Sequence, residues 1–240
     1  MATQVTPIQS PRVVSHEQWL TERVAFMARE KEFTRLRDEL SRERRELPWE
    51  KVTKTYIFSG PRGEQTLAEL FEGRSQLIVY HFMFNPAWDE GCPGCSFWAD
   101  NFEGIDIHLA HRDITFLAIS RAPFAKLEAY RKRMGWSFKW VSAGAGDFNY
   151  EFQASFDPDA AKSGRAYYNY GTGPRVGEDM PGISVFCRDQ NGDIYHTYST
   201  YSRGLDLLNG AYNYIDLTPK GRDEGDRGPS WVRRHDRYED

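Results

Sequence analysis

Apolar side chains recur at helical spacing within a strongly charged stretch of the first 47 residues. The stripe in REKEFTRLRDELSRERREL consists of Phe33, Leu36, Leu40 and Leu47, and an earlier stripe consists of Leu20, Val24 and Met27. Ser15 and Gln18 form a capping box, and Pro48 ends the segment. The pattern predicts an N-terminal helical arm, residues 1–47, with its helix over 16–47. The arm either packs on its own domain or pairs with the arm of a second copy.

After Pro48 the pattern alternates between strands and helices. The continuously apolar run QLIVYHFMF (76–84) is typical of a buried central strand. Further strands are predicted at KVTKTYIFSG, DITFLAISRAP, GISVFCRD and GDIYHTYSTYS, the last two joined by a turn at Asn191-Gly192. Helices are predicted at TLAELFEG, CSFWADNFEGIDIHLAH, FAKLEAYRKRMGW and GLDLLNGAYNYIDL. This order predicts an α/β domain over 48–218 that contains a βαβ unit.

Two of the three cysteines, Cys92 and Cys95, stand in GCPGC between the central strand and a predicted helix. The start of a helix presents unpaired N–H groups and the positive end of the helix dipole, and both favour a thiolate. A thiolate is the species that attacks a disulfide. The spacing therefore predicts a redox pair in which Cys92 is the nucleophile and Cys95, one turn into the helix, resolves the mixed disulfide.

Two other interpretations of the cysteine pair are open. CxxC is also half of a zinc site, whose remaining ligands would come from residues such as His108, His111 and His196. The pair could also be two inert buried thiols. No second pair of cysteines stands at zinc-finger spacing, which favours redox chemistry and no bound metal. Cys187 alternates with apolar neighbours in ISVFC and is predicted to be a core residue.

Together these elements resemble the thioredoxin superfamily, on LIVYHFMF, CPGC with its helix, ITFLAISRAP and MPGISVFCRDQNGDIYHTYS. More closely, the chain is similar to a bacterial family of unknown function whose members are described as predicted dithiol–disulfide oxidoreductases. The most distinctive stretches are MFNPAWDEGCPGCSFWADNF, HTYSTYSRGLDLLNGAYNYIDLTPKGRDE and WVRRHDRY. The resemblance implies a thioredoxin-like three-layer α/β/α sandwich with a mixed central sheet. It also implies a redox-active disulfide as the only redox group, with no other cofactor.

Pro181 precedes the third core strand in EDMPGISVF. In the thioredoxin arrangement that strand runs antiparallel to the first, so its start lies near the cysteines. The resemblance predicts a cis Met180–Pro181 bond facing Cys92, with the backbone of Met180 free to pair with a peptide-like substrate. The alternative is an ordinary trans proline at the start of a strand.

The cysteine segment also departs from its relatives. Thioredoxin has Trp before the first cysteine and C-G-P-C, whereas Gly91 precedes C-P-G-C here, and the acidic residues Asp89 and Glu90 oppose thiolate formation. Peroxiredoxins carry Pro-x-x-x-Thr-x-x-Cys, and this chain has Asn85 and Asp89 at the first and fifth of those positions. A thiol peroxidase is therefore the weaker alternative. A non-catalytic thioredoxin-fold binding module is a third.

Three further features bear on the site. Residues 136–172 are predicted to be an aromatic-rich insertion, either a layer packed on the sheet or a wall over the cysteines for a small apolar or peptide disulfide. Strand alternation places His196 and Tyr198 on one face, where His196 could deprotonate Cys95. Trp88, in the loop before the cysteines, is a further candidate for a supporting role.

The last 22 residues, 219–240, form a charged C-terminal tail with six basic and six acidic residues. Such a composition favours a mobile end. The segment WVRRHDRY within it carries Trp231 and Tyr238, which can anchor that part of the tail on the domain.

Charge and composition limit the partners. A formal net charge of −4 gives no electrostatic basis for nucleic-acid binding. The N-terminus lacks the apolar run of a signal peptide, and LIVYHFMF is too short to span a bilayer, so we expect a cytoplasmic protein without a membrane partner. The expected partner is a protein or small molecule that carries a disulfide or thiol, with a homodimer through the arm as a further option.

Overall fold

A mixed eight-stranded sheet forms the centre of the molecule in the computed structural model, which describes residues 11–172, 178–225 and 228–238. Ten residues of the predicted arm and four of the predicted tail lie outside these ranges. The strands in chain order are β1 (Glu50–Lys51), β2 (Ile57–Gly60), β3 (Gly63–Thr66), β4 (Gln76–His81), β5 (Ile114–Ser120), β6 (Lys139–Ser142), β7 (Tyr167–Tyr168), β8 (Gly171–Thr172), β9 (Gly182–Arg188) and β10 (Ile194–Tyr201). The sheet order is β1-β10-β9-β4-β5-β6-β2-β3, while β7 and β8 pair separately.

The four strands β10-β9-β4-β5 have the order and directions of the thioredoxin-like fold. β4 is parallel to β5 and antiparallel to β9, and β9 forms an antiparallel hairpin with β10. His81 at the end of β4 pairs with Gly182 at the start of β9. The predicted fold, including the hairpin, is confirmed.

Helices cover both faces of this sheet, which makes the predicted three layers. They are α1 (His16–Arg44), α2 (Leu67–Leu70), α3 (Pro93–Ala99), α4 (Ile105–Ala110), α5 (Phe124–Arg133), α6 (Phe148–Glu151), α7 (Pro158–Lys162) and α8 (Gly210–Ile215), with 3₁₀ helices at Ser202–Leu208 and His235–Arg237. None of the helices in the described ranges combines the length and the apolarity needed to span a membrane.

The alternating side chains of β4 divide the core into two layers. Tyr80 packs with Phe82, Cys95 and α5 in what we call the cysteine-side core. Leu77 and Val79 point the other way, into an opposite core that includes α2 and α6. Because successive residues of a strand face opposite sides of the sheet, β4 contributes side chains to both cores in alternation.

Four predicted elements differ from the observed ones. The strand predicted at KVTKTYIFSG is two strands, since β1 pairs with β10 whereas β2 pairs with β3 and β6. The helix predicted in CSFWADNFEGIDIHLAH is two helices, because Gly104 takes a left-handed conformation with φ 78° between α3 and α4. The last predicted helix begins as the 3₁₀ helix Ser202–Leu208 and becomes α8 after Asn209. The predicted insertion begins with a strand of the main sheet, since β6 pairs in parallel with β5.

Most aromatic residues of the segment 136–172 are buried in the body of the protein. Those buried are Trp136, Phe138, Trp140, Phe148, Phe152, Phe156 and Tyr168, and those exposed are Tyr150, Tyr167 and Tyr170. The buried ones are divided between the cysteine-side core, the opposite core and a third cluster around Tyr201. This distribution favours the first alternative, a layer packed on the sheet, and not a wall above the cysteines.

The N-terminal arm is helical as predicted, but it does not pack on its own domain. The capping box of Ser15 and Gln18 starts α1, and the helix ends at Arg44, three residues before Leu47. No residue of α1 is buried. The expectation that its apolar stripes contact this domain is therefore wrong, although the Arg44 guanidinium lies 4.8 Å from the ring centre of Tyr198.

Candidate redox site

The two cysteines lie where β4 leads into α3. Cys92 is the N-cap residue of α3, Pro93 occupies the first turn, and the Ser96 N–H donates to the Cys92 carbonyl at 2.9 Å. Proline suits this position because its missing N–H would have no helical partner there. Cys92 is half-buried, whereas Cys95 is 2% exposed. Both are free thiols, and Cys92 is the more accessible of the two.

Gly91 is required by the packing around the pair. A Cβ atom at this position would lie 2.7 Å from Phe82 and 2.9 Å from Tyr130. The chain therefore passes against the aromatic floor of the cysteine-side core at a distance that only glycine allows. This contact explains why Gly91 stands where thioredoxin carries tryptophan.

The Cys92 thiol is acidic. Its pKa is lowered to about 7, first by a hydrogen bond from Cys95 and against the opposing effect of burial. The Cys92 side chain does not form a standard N-cap hydrogen bond. The backbone N–H groups of Cys95 and Gly94 nevertheless lie near its sulfur and favour the thiolate, and so does the positive charge of Arg234. About half of Cys92 is therefore thiolate near neutral pH, as a nucleophile requires.

Cys95 has the opposite character. Burial raises the pKa of its thiol well above the ordinary value, and the nearby Cys92 raises it further. The Met83 N–H donates to the Cys95 sulfur at 3.3 Å and acts in the other direction. Near neutral pH the pair thus has one sulfur that is about half ionised and one that is protonated.

The Tyr80 hydroxyl lies beside Cys95 in the cysteine-side core. It is fully buried and has no hydrogen-bond partner of normal geometry among the described residues. Burial, followed by the proximity of Cys95, raises the pKa of Tyr80 well above its ordinary value. Tyr80 is therefore protonated, and its contact with Cys95 acts to lower the pKa of that thiol.

Glu90 does not oppose the thiolate as the sequence predicted. Three arginines neutralise its carboxylate, namely Arg133, Arg234 at 2.9 Å and Arg237 at 3.4 Å. Hydrogen bonding from Arg133 is the main cause of the lowered pKa of Glu90. Because two of these arginines come from the tail, the sequence around the cysteines could not reveal the compensation.

The segment WVRRHDRY packs on the domain as predicted. Trp231 and Val232 join Phe97 and Tyr212 in an apolar cluster, and the indole N–H of Trp231 donates to Glu224 at 2.8 Å. This cluster fixes the chain just before Arg234, and the arginine therefore reaches the cysteine loop.

Arg234 connects the tail directly to the cysteine loop. Its guanidinium donates to the Gly91 carbonyl at 2.7 Å and to the Tyr130 hydroxyl at 3.0 Å. Tyr130 in turn contacts Ser96 of α3 at 3.0 Å. A residue 143 positions away from Gly91 in sequence thus fixes the residue before Cys92 and adds a positive charge near its sulfur.

Arg234→Gln is expected to raise the pKa of Cys92 from about 7 toward the ordinary thiol value of about 8.5, because a stabilising positive charge is removed. The pH dependence of the alkylation rate of Cys92 measures this pKa. Arg233→Gln is the matched control, since the Arg233 guanidinium donates to the carbonyls of Ser230 and Val232. An unchanged pKa in Arg234→Gln, or an equal rise in the control, would refute the role of Arg234.

The Met180–Pro181 bond is trans, because the described residues contain no cis peptide bond. The predicted cis bond is therefore wrong. Asp179 forms a β-bridge with Ser155, and the Met180 N–H donates to the Ala154 carbonyl at 2.9 Å. This pairing holds the segment extended, and a trans bond continues it into β9.

A substrate strand would have to displace the bond between Met180 and Ala154 in order to use the Met180 N–H. The Pro181 carbonyl likewise accepts a hydrogen bond from the Tyr168 hydroxyl at 2.8 Å. Substrate binding by Met180 and Pro181 stays a prediction, now without the free N–H that motivated it.

His196 does not lie with the cysteines. It pairs with Phe186 across the hairpin, whereas Tyr198 pairs with the adjacent Val185, because a β-bulge shifts the register between them. The two residues therefore face opposite sides of the sheet, against the predicted alternation. The ring of His196 packs against Phe152 and Phe186 in the opposite core. The structure thus gives no support to His196 as a base for Cys95.

Trp88 lies near the pair, and its supporting role stays a prediction. It packs on the cysteine-side core together with Cys92. Lys126 donates to the Trp88 carbonyl at 2.7 Å and thereby ties the loop before the cysteines to α5.

Cys187 lies at the far end of β9 from the cysteine pair. It is half-buried and pairs with Gln76, the first residue of β4. Cys92 and Cys95, in contrast, come after the last residue of β4. Within the ranges 11–172, 178–225 and 228–238, no three His, Cys, Asp or Glu side chains are grouped as a bound metal would need.

Sequence reasoning missed four residues of this site: Tyr80, Tyr130, Arg133 and Arg234. Tyr80 carried a usable signal, since it is a polar-tipped residue in an otherwise apolar central strand two strand positions before the loop. The other three become neighbours of the cysteines only through tertiary packing of α5 and the tail.

Comparison with known proteins identifies a family and several distant structures. The model of a family described as bacterial protein of unknown function (DUF899) matches residues 8–238. Among solved structures, peroxidoxin BcpB from Mycobacterium tuberculosis is 14% identical with a TM-score of 0.43 and aligns over 70% of this chain and 97% of its own. Peroxiredoxin Q from Xanthomonas campestris is 14% identical with a TM-score of 0.47, and the alignment covers 70% of this chain and 98% of that protein. A Chlorobium tepidum protein assigned as the thiol:disulfide interchange protein DsbE is 11% identical with a TM-score of 0.38, and the alignment covers 68% of this chain and 95% of that protein. No curated protein matches the chain.

Proposed function

The chain belongs to the DUF899 family of bacterial proteins, and we propose that it is a thiol–disulfide oxidoreductase in which Cys92 is the nucleophile and Cys95 the resolving thiol. The observation that carries the proposal is the placement of the two free thiols, with Cys92 half-buried at the start of α3 and Cys95 buried in the first turn of that helix. Cys92 has a pKa of about 7 at the start of α3, and the buried Cys95 has a raised pKa.

The proposed reaction has two exchange steps. The Cys92 thiolate attacks a substrate disulfide, forms a mixed disulfide and releases one substrate thiolate. Cys95 then loses its proton and attacks the Cys92 sulfur, which forms the Cys92–Cys95 disulfide and releases the second substrate thiolate. The substrate gains two electrons, and an external dithiol returns the pair to its reduced form.

The second step needs the Cys95 thiol to ionise in a buried site. The Met83 N–H, 3.3 Å from the sulfur, supports the thiolate as it forms. The Tyr80 hydroxyl is protonated and lacks another partner of normal geometry, so it is free to turn toward the new charge. Both groups therefore favour the resolving step without contacting the substrate.

The proposal keeps the expectations of a cytoplasmic location and of no cofactor beyond the redox-active disulfide. In a reducing compartment the pair would be maintained as thiols between turnovers. A substrate reaches the half-buried Cys92 and not Cys95, so its disulfide has to be presented at the surface of a protein or peptide, or on a small molecule.

Turnover with two oxidants tests the proposal. The protein with dithiothreitol as reductant is expected to accelerate insulin reduction, whereas its consumption of hydrogen peroxide is expected to match that of Cys92→Ser. Peroxide consumption well above that of Cys92→Ser would instead establish a thiol peroxidase. Activity in neither assay would indicate a binding module that carries the cysteines without turnover.

A further inference from the structure

The helix α1 carries a regular stripe of exposed apolar residues that its own domain does not cover. Trp19, Phe26, Phe33 and Leu40 are each seven residues apart and are 53%, 54%, 63% and 49% exposed. Seven residues are close to two helical turns, so the four side chains follow one side of the helix over about 30 Å. Leu36, also half exposed, lies beside this stripe.

A second set of exposed apolar residues lies on another side of the first half of α1. It consists of Leu20, Val24 and Met27. At 100° per residue these three are more than 90° around the helix from Phe33 and Leu40. A helix that is apolar on two sides is typical of one enclosed by more than one neighbour.

We propose that α1 is a homodimerisation arm, and that its apolar surface is covered by a second copy of this chain. Each copy carries the same uncovered stripe, so a two-fold arrangement of the two helices covers both stripes at once. Contiguous exposed apolar surface of this kind marks an interaction site, since α1 buries no residue against its own domain.

The charges of α1 favour a second copy over a membrane surface. The helix carries seven acidic and seven basic residues. A helix with no net charge does not repel its own copy, and its interspersed signs allow ion pairs between the two helices. A helix that binds anionic lipid instead has a basic polar face.

The charges beside the second half of the stripe fit the pairing of two helices. Beside Phe33 and Leu40, Glu32 and Glu39 flank the stripe on one side, and Arg37 and Arg44 flank it on the other. Nearer the N-terminus the arginine side also carries Glu30, which pairs with Arg23 at 2.8 Å. Opposite charges on the two flanks of an apolar seam are the pattern by which paired helices select their partner. The exposed set is thus both apolar along its centre and charge-complementary at its edges.

Sedimentation equilibrium of the full chain tests the proposal. The wild type is expected to have about twice the 27.8 kDa chain mass at micromolar concentration. Phe33→Glu with Leu40→Glu is expected to raise the dimer dissociation constant by at least about 100-fold, because two hydrophobic contacts per copy become buried charges. Thr34→Glu with Ser41→Glu adds the same charge roughly 80–100° around the helix from the stripe, beyond the C-terminal end of the second set, and is expected to stay dimeric.

The substitutions lie on a helix with no buried residue, so the domain of each variant should fold, which circular dichroism and the count of reactive thiols can verify. A wild type that sediments at the mass of one chain would overturn the proposal, and so would a double variant that stays dimeric. A monomeric wild type that binds vesicles containing anionic lipid would assign α1 to a membrane surface instead. None of these outcomes depends on the redox activity of Cys92.

Discussion

Cys95→Ser is expected to accumulate as a mixed disulfide with its substrate, joined through Cys92. The thiolate of Cys92, with its pKa of about 7, still attacks, but no second sulfur remains to release the bound partner. Catalytic turnover with insulin should fall at least about 1,000-fold, since removing one member of a catalytic unit removes most of its rate enhancement. Intact-mass measurement after exposure to a disulfide identifies the adduct, and peptide mapping identifies the sulfur that carries it.

Cys92→Ser and Cys187→Ser are the matched controls for this experiment. Cys92→Ser is expected to form no adduct, because Cys95 is 2% exposed and its pKa is raised. Cys187→Ser should behave as the wild type, since Cys187 lies at the opposite end of β9. An adduct on Cys187 in Cys95→Ser, or one on Cys95 in Cys92→Ser, would show that the assigned roles are incorrect.

The free energy of unfolding is expected to fall by ~3 kcal/mol between pH 6.5 and pH 4 because of His81 alone. His81 is fully buried in the opposite core, and burial lowers its pKa from the ordinary value to about 4. In this pH range the unfolded chain binds a proton at this position that the folded protein excludes. The stabilisation is therefore complete above pH 6.5 and is lost as the pH falls toward 4.

Burial keeps His81 neutral, and both nitrogens of the neutral ring have hydrogen-bond partners. Its Nδ1 donates to the Asn149 side-chain oxygen at 3.0 Å, and its Nε2 accepts from the Ser184 hydroxyl at 2.9 Å. The Ser184 hydroxyl in turn contacts the Ser199 hydroxyl at 2.9 Å, and Ser199 contacts His196 Nε2 at 2.7 Å. A second proton on His81 would turn Nε2 into a donor, and the Ser184 hydroxyl could then no longer donate to it.

Urea unfolding at a series of pH values measures this effect as the difference between two proteins. His81→Gln removes the titrating group. Between pH 6.5 and pH 4, its free energy of unfolding is therefore expected to fall by ~3 kcal/mol less than that of the wild type. His108→Gln, at an exposed position of α4, should keep the wild-type dependence. Parallel pH curves for the wild type and His81→Gln would rule out the buried neutral imidazole as the cause.

The fold and the position of the cysteine pair were predictable because they depend on local patterns. The apolar run of β4, the CxxC at the start of α3 and the Asn191-Gly192 turn each have a physical signature within a few residues. The element order then sets the direction of β9 relative to β4. The docking of the tail was predictable for the same reason, since Trp231 in a charged segment needs apolar contact.

The rest depends on contacts between distant parts of the chain. The β-bulge after His196 moves the side chain of Tyr198 to the other face, and alternation alone gives no sign of it. The trans bond before Pro181 follows from the pairing of Met180 with Ala154. Arg234 contacts Gly91 although the two are 143 residues apart in sequence. No sequence pattern near the cysteines indicates that the tail supplies a positive charge there.

A redox titration with mass tagging of free thiols tests the central claim most directly. The protein is equilibrated in dithiol and disulfide buffers of graded potential, and tagged thiols are counted by peptide. We expect Cys92 and Cys95 to lose their tags together along a single two-electron curve, while Cys187 stays tagged throughout. Tags that stay on Cys92 and Cys95 at every potential, or that disappear from them at separate potentials, would contradict a dithiol–disulfide pair at the start of α3.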